Sequence, residues 1–252
     1  MDLSGKVCLV TGASRGIGAA IAERFAAAGA TIVIHYGSDR DAAEAVSCRL
    51  PGDSHVVLGT DLSLPDNAAA FINHVMNKVD RLDVLVNNAG IYSKHPLLAT
   101  GRDEWLEAWT KTLAVNLVSP AVLCHAAAKV MARQGGGRII NIGSRGAFRG
   151  EPDCPAYGAS KAGLHAMSQS LAVALGPANI QVFAIAPGFT ETDMISDLLG
   201  SDEGALIKAQ SPLNRVARPA EIAETACFLA ATEAEFLTGG IFDVNGASYL
   251  RS

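Results

Sequence analysis

Cysteine, histidine and aromatic residues are scarce in this chain of 252 residues, and each scarcity removes a class of explanation. The five cysteines, Cys8, Cys48, Cys124, Cys154 and Cys227, are odd in number, widely spaced and never arranged as Cys-x-x-Cys. That pattern fits reduced thiols in a reducing compartment and no disulfide framework. The six histidines are scattered and form no His-Glu-x-x-His, so no metal site is expected. A net charge of −5 offers no basic surface for nucleic acid or an anionic membrane. No apolar run approaches the roughly 18 residues of a membrane span. The start, Met1-Asp2-Leu3-Ser4-Gly5-Lys6, lacks the basic and then apolar regions of a secretory leader. A cytoplasmic protein without a membrane or nucleic-acid partner is expected.

What is plentiful is small and apolar. Hydrophobic residues make up 49% of the chain, which also holds 25 glycines. This composition suits close helix–sheet packing and argues against disorder. A chain this long is expected to form one domain over residues 1–252, burying roughly 70–75% of its unfolded surface. Short apolar runs alternate with Ala-rich amphipathic stretches throughout. Strands are expected at Lys6–Val10, Thr31–Tyr36, Ser54–Leu58, Val84–Val86, Arg138–Ile142, Ile180–Ile185 and Gly240–Val244. Helices are expected between them, the longest from about Asp103 to Arg133 with an interruption near Ser119-Pro120. Strict alternation predicts a doubly wound, Rossmann-type α/β fold: about seven parallel strands with helices on both faces. In such a sheet, ligands lie beyond the carboxyl ends of the strands, at the switch point. The region from about 189 to 212 reads as a lid, with Phe189, Met194, Leu198 and Leu199 as apolar contributors.

The first strand runs into Thr11-Gly12-Ala13-Ser14-Arg15-Gly16-Ile17-Gly18 and a helix follows. Glycines let backbone approach a phosphate, and the free N–H groups at a helix start attract negative charge. The spacing Gly-x-x-x-Gly-x-Gly differs from the commonest dinucleotide fingerprint. The absence of Gly-Lys-Ser/Thr argues against a nucleotide triphosphatase. Other segments also follow strands and converge on the same edge: Asp61-Leu62, Asn87-Asn88-Ala89-Gly90, Ser144 and Pro187-Gly188.

The chain is organised around Ser144 to Lys161. In Tyr157-Gly158-Ala159-Ser160-Lys161, the tyrosine and lysine share one face of a helix. A cation near a phenol favours its ionised form. Tyr157 can then exchange a proton with a carbonyl or alcohol oxygen, and a serine hydroxyl can hold that oxygen. This chemistry belongs to a nicotinamide-dependent oxidoreductase.

Taken together, Thr11–Gly18, Asn87–Gly90, Asn116, Ser144, Tyr157-x-x-x-Lys161 and Pro187-Gly188 with Thr192 make the chain resemble the short-chain dehydrogenase/reductase family over nearly its whole length. The resemblance implies a catalytic set of Asn116, Ser144, Tyr157 and Lys161. Tyr157 would protonate the substrate oxygen, Ser144 would steady it, and Lys161 would bind the nicotinamide ribose and lower the phenol's pKa. Asn116 would help hold a water relaying protons to Lys161. The resemblance also implies cofactor contacts from Gly12, Ser14, Arg15, Gly16, Ile17, Gly18, Tyr36, Ser38, Asp61, Leu62, Asn88, Ala89, Gly90, Pro187, Gly188 and Thr192, besides Tyr157 and Lys161. Asp61 and Leu62 would border the adenine, Asn88 the ribose and Thr192 the carboxamide. The chain departs from the family in three places: Gly143 stands where the family often has a serine, the end reads Asp243-Val244-Asn245-Gly246-Ala247, and Arg145–Cys154 forms its own substrate-side loop after Ser144.

An NAD-specific site usually ends its second strand with an acid. That position here is Tyr36, and Arg15, Ser38 and Arg40 are placed to meet a 2′-phosphate, so NADP(H) is expected over NAD(H). Asp39, between the last two, is the acid that would reverse this. By analogy with relatives, the substrate is a ketone or secondary alcohol that extends to a 3-oxoacyl type. The alternatives are an NAD(H)-dependent alcohol or sugar dehydrogenase and a non-catalytic dinucleotide-binding protein. A methyltransferase does not explain Ser144, Tyr157 and Lys161 together, and an enoyl reductase implies a longer Tyr–Lys spacing. Family resemblance, with small residues along the Tyr157 helix, implies a homotetramer. Nothing in Arg145–Cys154 translates into a specificity.

Overall fold

Runs of β-branched residues flanked by glycine-rich turns pair into strands, and the intervening Ala-rich segments cover both sheet faces. The computed structural model describes residues 1–192 and 201–251. Its strands are β1 (Val7–Val10), β2 (Thr31–Tyr36), β3 (Val56–Gly59), β4 (Val84–Asn87), β5 (Gly137–Ile142), β6 (Ile180–Pro187) and β7 (Ile241–Val244). They form one sheet in the order β3-β2-β1-β4-β5-β6-β7, every pair parallel. The order reverses between β1 and β4, where Leu9 lies opposite Leu85. The loops after these two strands therefore open a crevice at the switch point. The fold is the expected doubly wound, Rossmann-type sheet.

On one face pack α1 (Gly16–Ala27), α2 (Arg40–Ser47) and a late helix, Pro219–Ala230; on the other pack α3 (Pro65–Met76) and a long run from Arg102 to Arg133. Phe25 and Phe183 anchor the first core layer, and Phe71, Met131 and Ile139 the second. The long run is α4 (Arg102–Leu113), a π-helical turn (Ala114–Val118) and α5 (Ser119–Arg133). The expected interruption is thus a widened turn just before Ser119 within one continuous helical run, directly ahead of Pro120, which has no N–H to offer the preceding turn. By length and composition this run could cross a membrane, contrary to the expectation that no stretch would approach that limit. Half of its most apolar stretch is buried inside the protein.

α6 (Gly146–Arg149) and α7 (Pro155–Leu175) follow β5, and a short 3₁₀ turn at Gly176–Ala178 ends α7. The expected lid region contains α8 (Asp202–Ala209), with Ser201 accepting from the N–H of Gly204 as its cap. Met194, Leu198 and Leu199 of the expected lid lie outside the described residues. α9 (Pro219–Ala230) precedes a 3₁₀ turn, Thr232–Leu237, and β7.

Candidate active site

Each functional segment begins where a strand stops. After β1, Gly12 adopts φ 61° and Gly16 φ 57°, left-handed conformations that favour glycine. The approach to the next loop is close: a Cβ on Gly12 would stand 2.9 Å from Ala89 Cα, and one on Gly18 would overlap the Gly12 carbonyl. Thr11 ties the two loops together. Its hydroxyl accepts from the N–H groups of Asn88 and Ala89 at 2.9 and 3.0 Å. The amide of Asn88 donates to the carbonyls of Thr11 and Gly12 at 2.9 and 3.1 Å. Asn88 thus braces the turn, a use of the side chain that differs from the expected ribose contact.

The start of α1 has no side-chain cap and no acidic residue in its first turn, so its N–H groups are free for a phosphate. Ser14 lies beside it partly exposed and Arg15 fully so. Thr192 arches over this turn, its Cγ2 lying 3.2 Å from where a Gly16 Cβ would be. The uncapped start of α1 and the close-packed glycine-rich turn would fit the phosphates of a nicotinamide dinucleotide. Asp61 accepts from the Ser63 N–H at 2.8 Å, which holds its carboxyl below the usual range, and Ser119 donates to the Leu62 carbonyl at 2.7 Å.

Sequence reading passed over His35. It is 2% exposed at the end of β2. Its Nδ1 accepts from the Gly12 N–H and its Nε2 donates to the Thr60 carbonyl, both at 3.0 Å. Its own carbonyl accepts from Ala13 at 2.8 Å. One ring therefore joins the glycine-rich turn to the Asp61 loop. Burial pushes its pKa down to about 4, so it is neutral at physiological pH. The available signal was a polar ring in an otherwise apolar strand immediately before Tyr36.

At the second-strand end, Tyr36 lays its ring across Gly59, where a Cβ would come within 2.6 Å of the ring. Asp39 is spent as the N-cap of α2, accepting from the Ala42 N–H at 3.0 Å, and Arg40 pairs with Glu44 at 2.7 Å on an exposed surface. Ser38 is exposed.

The proton-transfer groups meet on the far side of the crevice. Ser144 follows β5 and its hydroxyl accepts from the Gly146 N–H at 3.0 Å. It pulls the Tyr157 phenol toward its ionised form. Lys161, one helical turn beyond Tyr157, is 4% exposed, and its ammonium lies 5.7 Å from the Tyr157 ring centre. It donates to the Ile142 carbonyl at 2.8 Å. Burial lowers its pKa to about 8. The same cause pushes the Tyr157 phenol up to about 12, against the pull of Ser144. The expected lowering of the phenol by Lys161 is therefore overridden here by desolvation, and Glu151 and Cys154 add to the rise.

Asn116 sits in the π-helical turn, a device frequent at functional sites. Its Oδ1 accepts from the Ile91 N–H at 2.8 Å, and its Nδ2 donates to the Ile91 carbonyl at 3.0 Å and to Ser160 at 3.2 Å. The side chain is spent on these bonds, so a proton relay at this position would run through main chain. Gly90 leaves the gap between Asn116 and Lys161: a Cβ there would lie 3.3 Å from Asn116 Oδ1 and 3.5 Å from Lys161 Nζ. Beneath the site, Asn87 donates to Asn141 at 2.8 Å and Asn141 to Ser168 at 2.8 Å, a buried ladder linking β4, β5 and α7.

Gly143 has a steric reason to lack the serine common in the family. A Cβ there would overlap His165 Nε2, and His165 stacks on Phe148 with ring centres 4.9 Å apart. Pro187-Gly188 closes the crevice. The Pro187 carbonyl accepts from the Arg145 N–H at 3.0 Å, and a Gly188 Cβ would stand 3.0 Å from Asn245 Cα.

A parallel sheet with a phosphate-accepting turn at its switch point and a Ser–Tyr–Lys group opposite defines an oxidoreductase that moves hydride between a nicotinamide and a ketone or secondary alcohol. The comparisons agree. A family model described as enoyl-(acyl carrier protein) reductase matches residues 12–247. A 3-oxoacyl-[acyl-carrier-protein] reductase of Escherichia coli is 41% identical, with 99% of this chain and all of that protein aligned. The corresponding protein of Aquifex aeolicus is 38% identical over 99% of both. The structure of a candidate gluconate dehydrogenase from Agrobacterium tumefaciens superposes with a TM-score of 0.89 at 30% identity, covering 98% of this chain and 97% of that one. The chain belongs to the short-chain dehydrogenase/reductase family.

Proposed function

We propose that the protein is an NADP(H)-dependent reductase of ketones, or dehydrogenase of the matching alcohols, acting through Ser144, Tyr157, Lys161 and Asn116 in one domain. The observation that carries this is the convergence of Ser144, Tyr157 and Lys161 after β5, with the buried Lys161 ammonium 5.7 Å from the Tyr157 ring centre. With its phosphates at the glycine-rich turn, a bound nicotinamide dinucleotide would supply or take up the hydride. Ser144 orients the carbonyl oxygen and Tyr157 donates its phenolic proton to that oxygen. Lys161 stabilises the phenolate that remains, and its lowered pKa lets it pass on a proton near neutrality. The Asn116 side chain holds the Gly90-Ile91 backbone beside the ammonium.

The NADP(H) preference rests on three features. Asp39 is committed to capping α2, Tyr36 supplies no carboxylate, and the exposed Arg15 stands at the uncapped start of α1. The test is kcat/KM with NADPH and NADH in the wild type and in Tyr36→Asp. The wild type is expected to favour NADPH, and the new carboxylate to reverse or strongly reduce that preference by opposing the 2′-phosphate. A wild type that favours NADH refutes the assignment.

The names of the relatives in Escherichia coli and Aquifex aeolicus make a 3-oxoacyl thioester the first substrate to try. A homotetramer in the cytoplasm is part of the same reading. Ala159, Ala162, Ala166 and Ser170 form an exposed small-residue face on α7, next to the exposed Val173, and Leu106 is exposed on α4. Phe236 and Leu250 are exposed near the last strand, where a second contact would form. A monomer mass by light scattering at micromolar concentration would exclude this assembly.

A further inference from the structure

The loop between Ser144 and Tyr157 carries one acid whose position is unusual. After α6, Gly150 takes φ 80° and turns the chain, so that Glu151 folds back onto the residues beside the reacting pair. A Cβ on Gly146 would overlap its Oε1, and a Cβ on Gly158 would touch its Cβ and Cγ at 3.7 and 3.8 Å. The side chain is therefore wedged between the residue two after Ser144 and the residue immediately after Tyr157, in room that two glycines leave open. The carboxylate reaches Tyr157 electrostatically.

Glu151 has few partners for a half-buried carboxylate. Among the described residues it forms no ion pair. Among the described residues no hydrogen bond to its carboxylate is formed; Tyr92, which favours its charged form, stands edge-on to Tyr157 with ring centres 5.0 Å apart and is 39% exposed. Arg145 and Arg149 act on it only at a distance. Arg145 is held by Ser248 and Gln210, and Arg149 by the same Gln210 oxygen at 2.9 Å. Burial pushes the carboxyl up against the pull of both arginines. A carboxylate offers about four acceptor positions, and an acceptor left unpaired in a half-buried place is costly. Its stem packs beside Gly158, the residue after Tyr157, and its carboxyl oxygen lies against Gly146, two residues after Ser144.

We infer that Glu151, supported by Tyr92, is a specificity-determining acceptor for a hydroxyl carried on the carbon next to the reacting carbonyl, so that the preferred substrates are hydroxyketones or the corresponding vicinal diols. The inference rests on the oxidoreductase reading and narrows it. A hydroxyl donates to the carboxylate, a methylene leaves it unpaired, and an anionic group is repelled. The methylene of a 3-oxoacyl thioester brings no such donor.

The test uses acetoin and butanone, which differ by one hydroxyl beside the carbonyl, together with an acetoacetyl thioester, each with NADPH and with NADH. The wild type is expected to favour acetoin over butanone by roughly ten- to a hundredfold in kcat/KM, the worth of one hydrogen bond to a charged group. In Glu151→Ala that ratio is expected to fall toward one, and in Tyr92→Phe to fall partway, with thermal midpoints confirming that both variants fold. A ratio near one in the wild type, or one unchanged in both variants, overturns the inference. The oxidoreductase reading survives that outcome if the thioester or butanone is still reduced. A wild type that reduces none of the three with either nicotinamide removes the oxidoreductase reading and this inference with it.

Discussion

Replacing His35 by leucine tests how the cofactor turn is held. The wild-type ring pairs the Gly12 N–H and the Thr60 carbonyl, each at 3.0 Å, in a place where it is 2% exposed. Leucine fills similar space and leaves both groups without a partner. Each such loss costs about 1–3 kcal/mol, so His35→Leu should lower stability by roughly 2–6 kcal/mol near neutral pH. The pH dependence sharpens the test. The folded pKa is depressed from 6.5 to about 4, so the unfolded chain binds the proton first as pH falls. Stability is therefore full above about pH 6.5 and declines down to about pH 4. A shift of this size corresponds to about 3 kcal/mol in all, of which roughly 2 kcal/mol is gone by about pH 5. The leucine variant lacks this contribution, so the gap between the two proteins should narrow from about pH 7.5 to about pH 5. His165, also pushed down to about 4 by burial, gives both proteins a shared residual slope. The assays are urea unfolding at the two pH values and NADPH fluorescence titration at the higher one, where the variant should bind roughly tenfold more weakly. A gap of the same size at both pH values would refute the assignment of the neutral ring as the link between the two loops.

Three further predictions follow from single contacts. Tyr157→Phe should reduce turnover by at least about 10²–10⁴-fold with NADPH affinity retained, measured by steady-state kinetics and titration, because it removes only the proton donor; near-normal turnover would exclude this mechanism. Gly143→Ser should cost about 1–3 kcal/mol of stability through its clash with His165, and His165→Ala should restore part of that loss; additive effects in the double variant would show that the two positions do not compete. Asp83→Asn should cost about 1–3 kcal/mol, since the carboxylate accepts from the Val7 N–H at 2.9 Å and from Arg81. Burial opposes the charge on Asp83, but Arg81, the Val7 N–H and Lys6 outweigh it and hold the pKa below 3.8. The gap between wild type and variant should therefore persist through neutral pH and close only below about pH 4, where the wild-type carboxyl itself protonates.

The periodicity of the sequence was enough to determine the sheet. Thr31–Tyr36 is a strand with the expected ends, and Pro65 and Pro219 open helices where their fixed φ is tolerated. Local chemistry also singled out Gly12–Gly18, Ser144, Tyr157 and Lys161 as candidates, because a phosphate turn and a Tyr-x-x-x-Lys face are each made within one short segment. Tertiary structure decided what depends on partners distant in sequence. The widened turn at Asn116 arises where Ile91 binds that side chain, so helical propensity alone moved the interruption to Pro120. Asp39 could have been a ribose ligand until α2 claimed it as a cap, and Asn88 was a ribose contact until Thr11 and Gly12 claimed its amide. His35 read as one more strand residue because its two partners lie at the ends of other strands. Gly143 looked like a missing serine until α7 brought His165 into that space. Glu151 carried no meaning in its loop, since only the turn at Gly150 and the gaps at Gly146 and Gly158 bring its carboxylate beside Tyr157. A segment's own pattern sets its conformation, but a polar side chain acquires its role from whichever unpaired donor or acceptor the fold brings within about 3 Å.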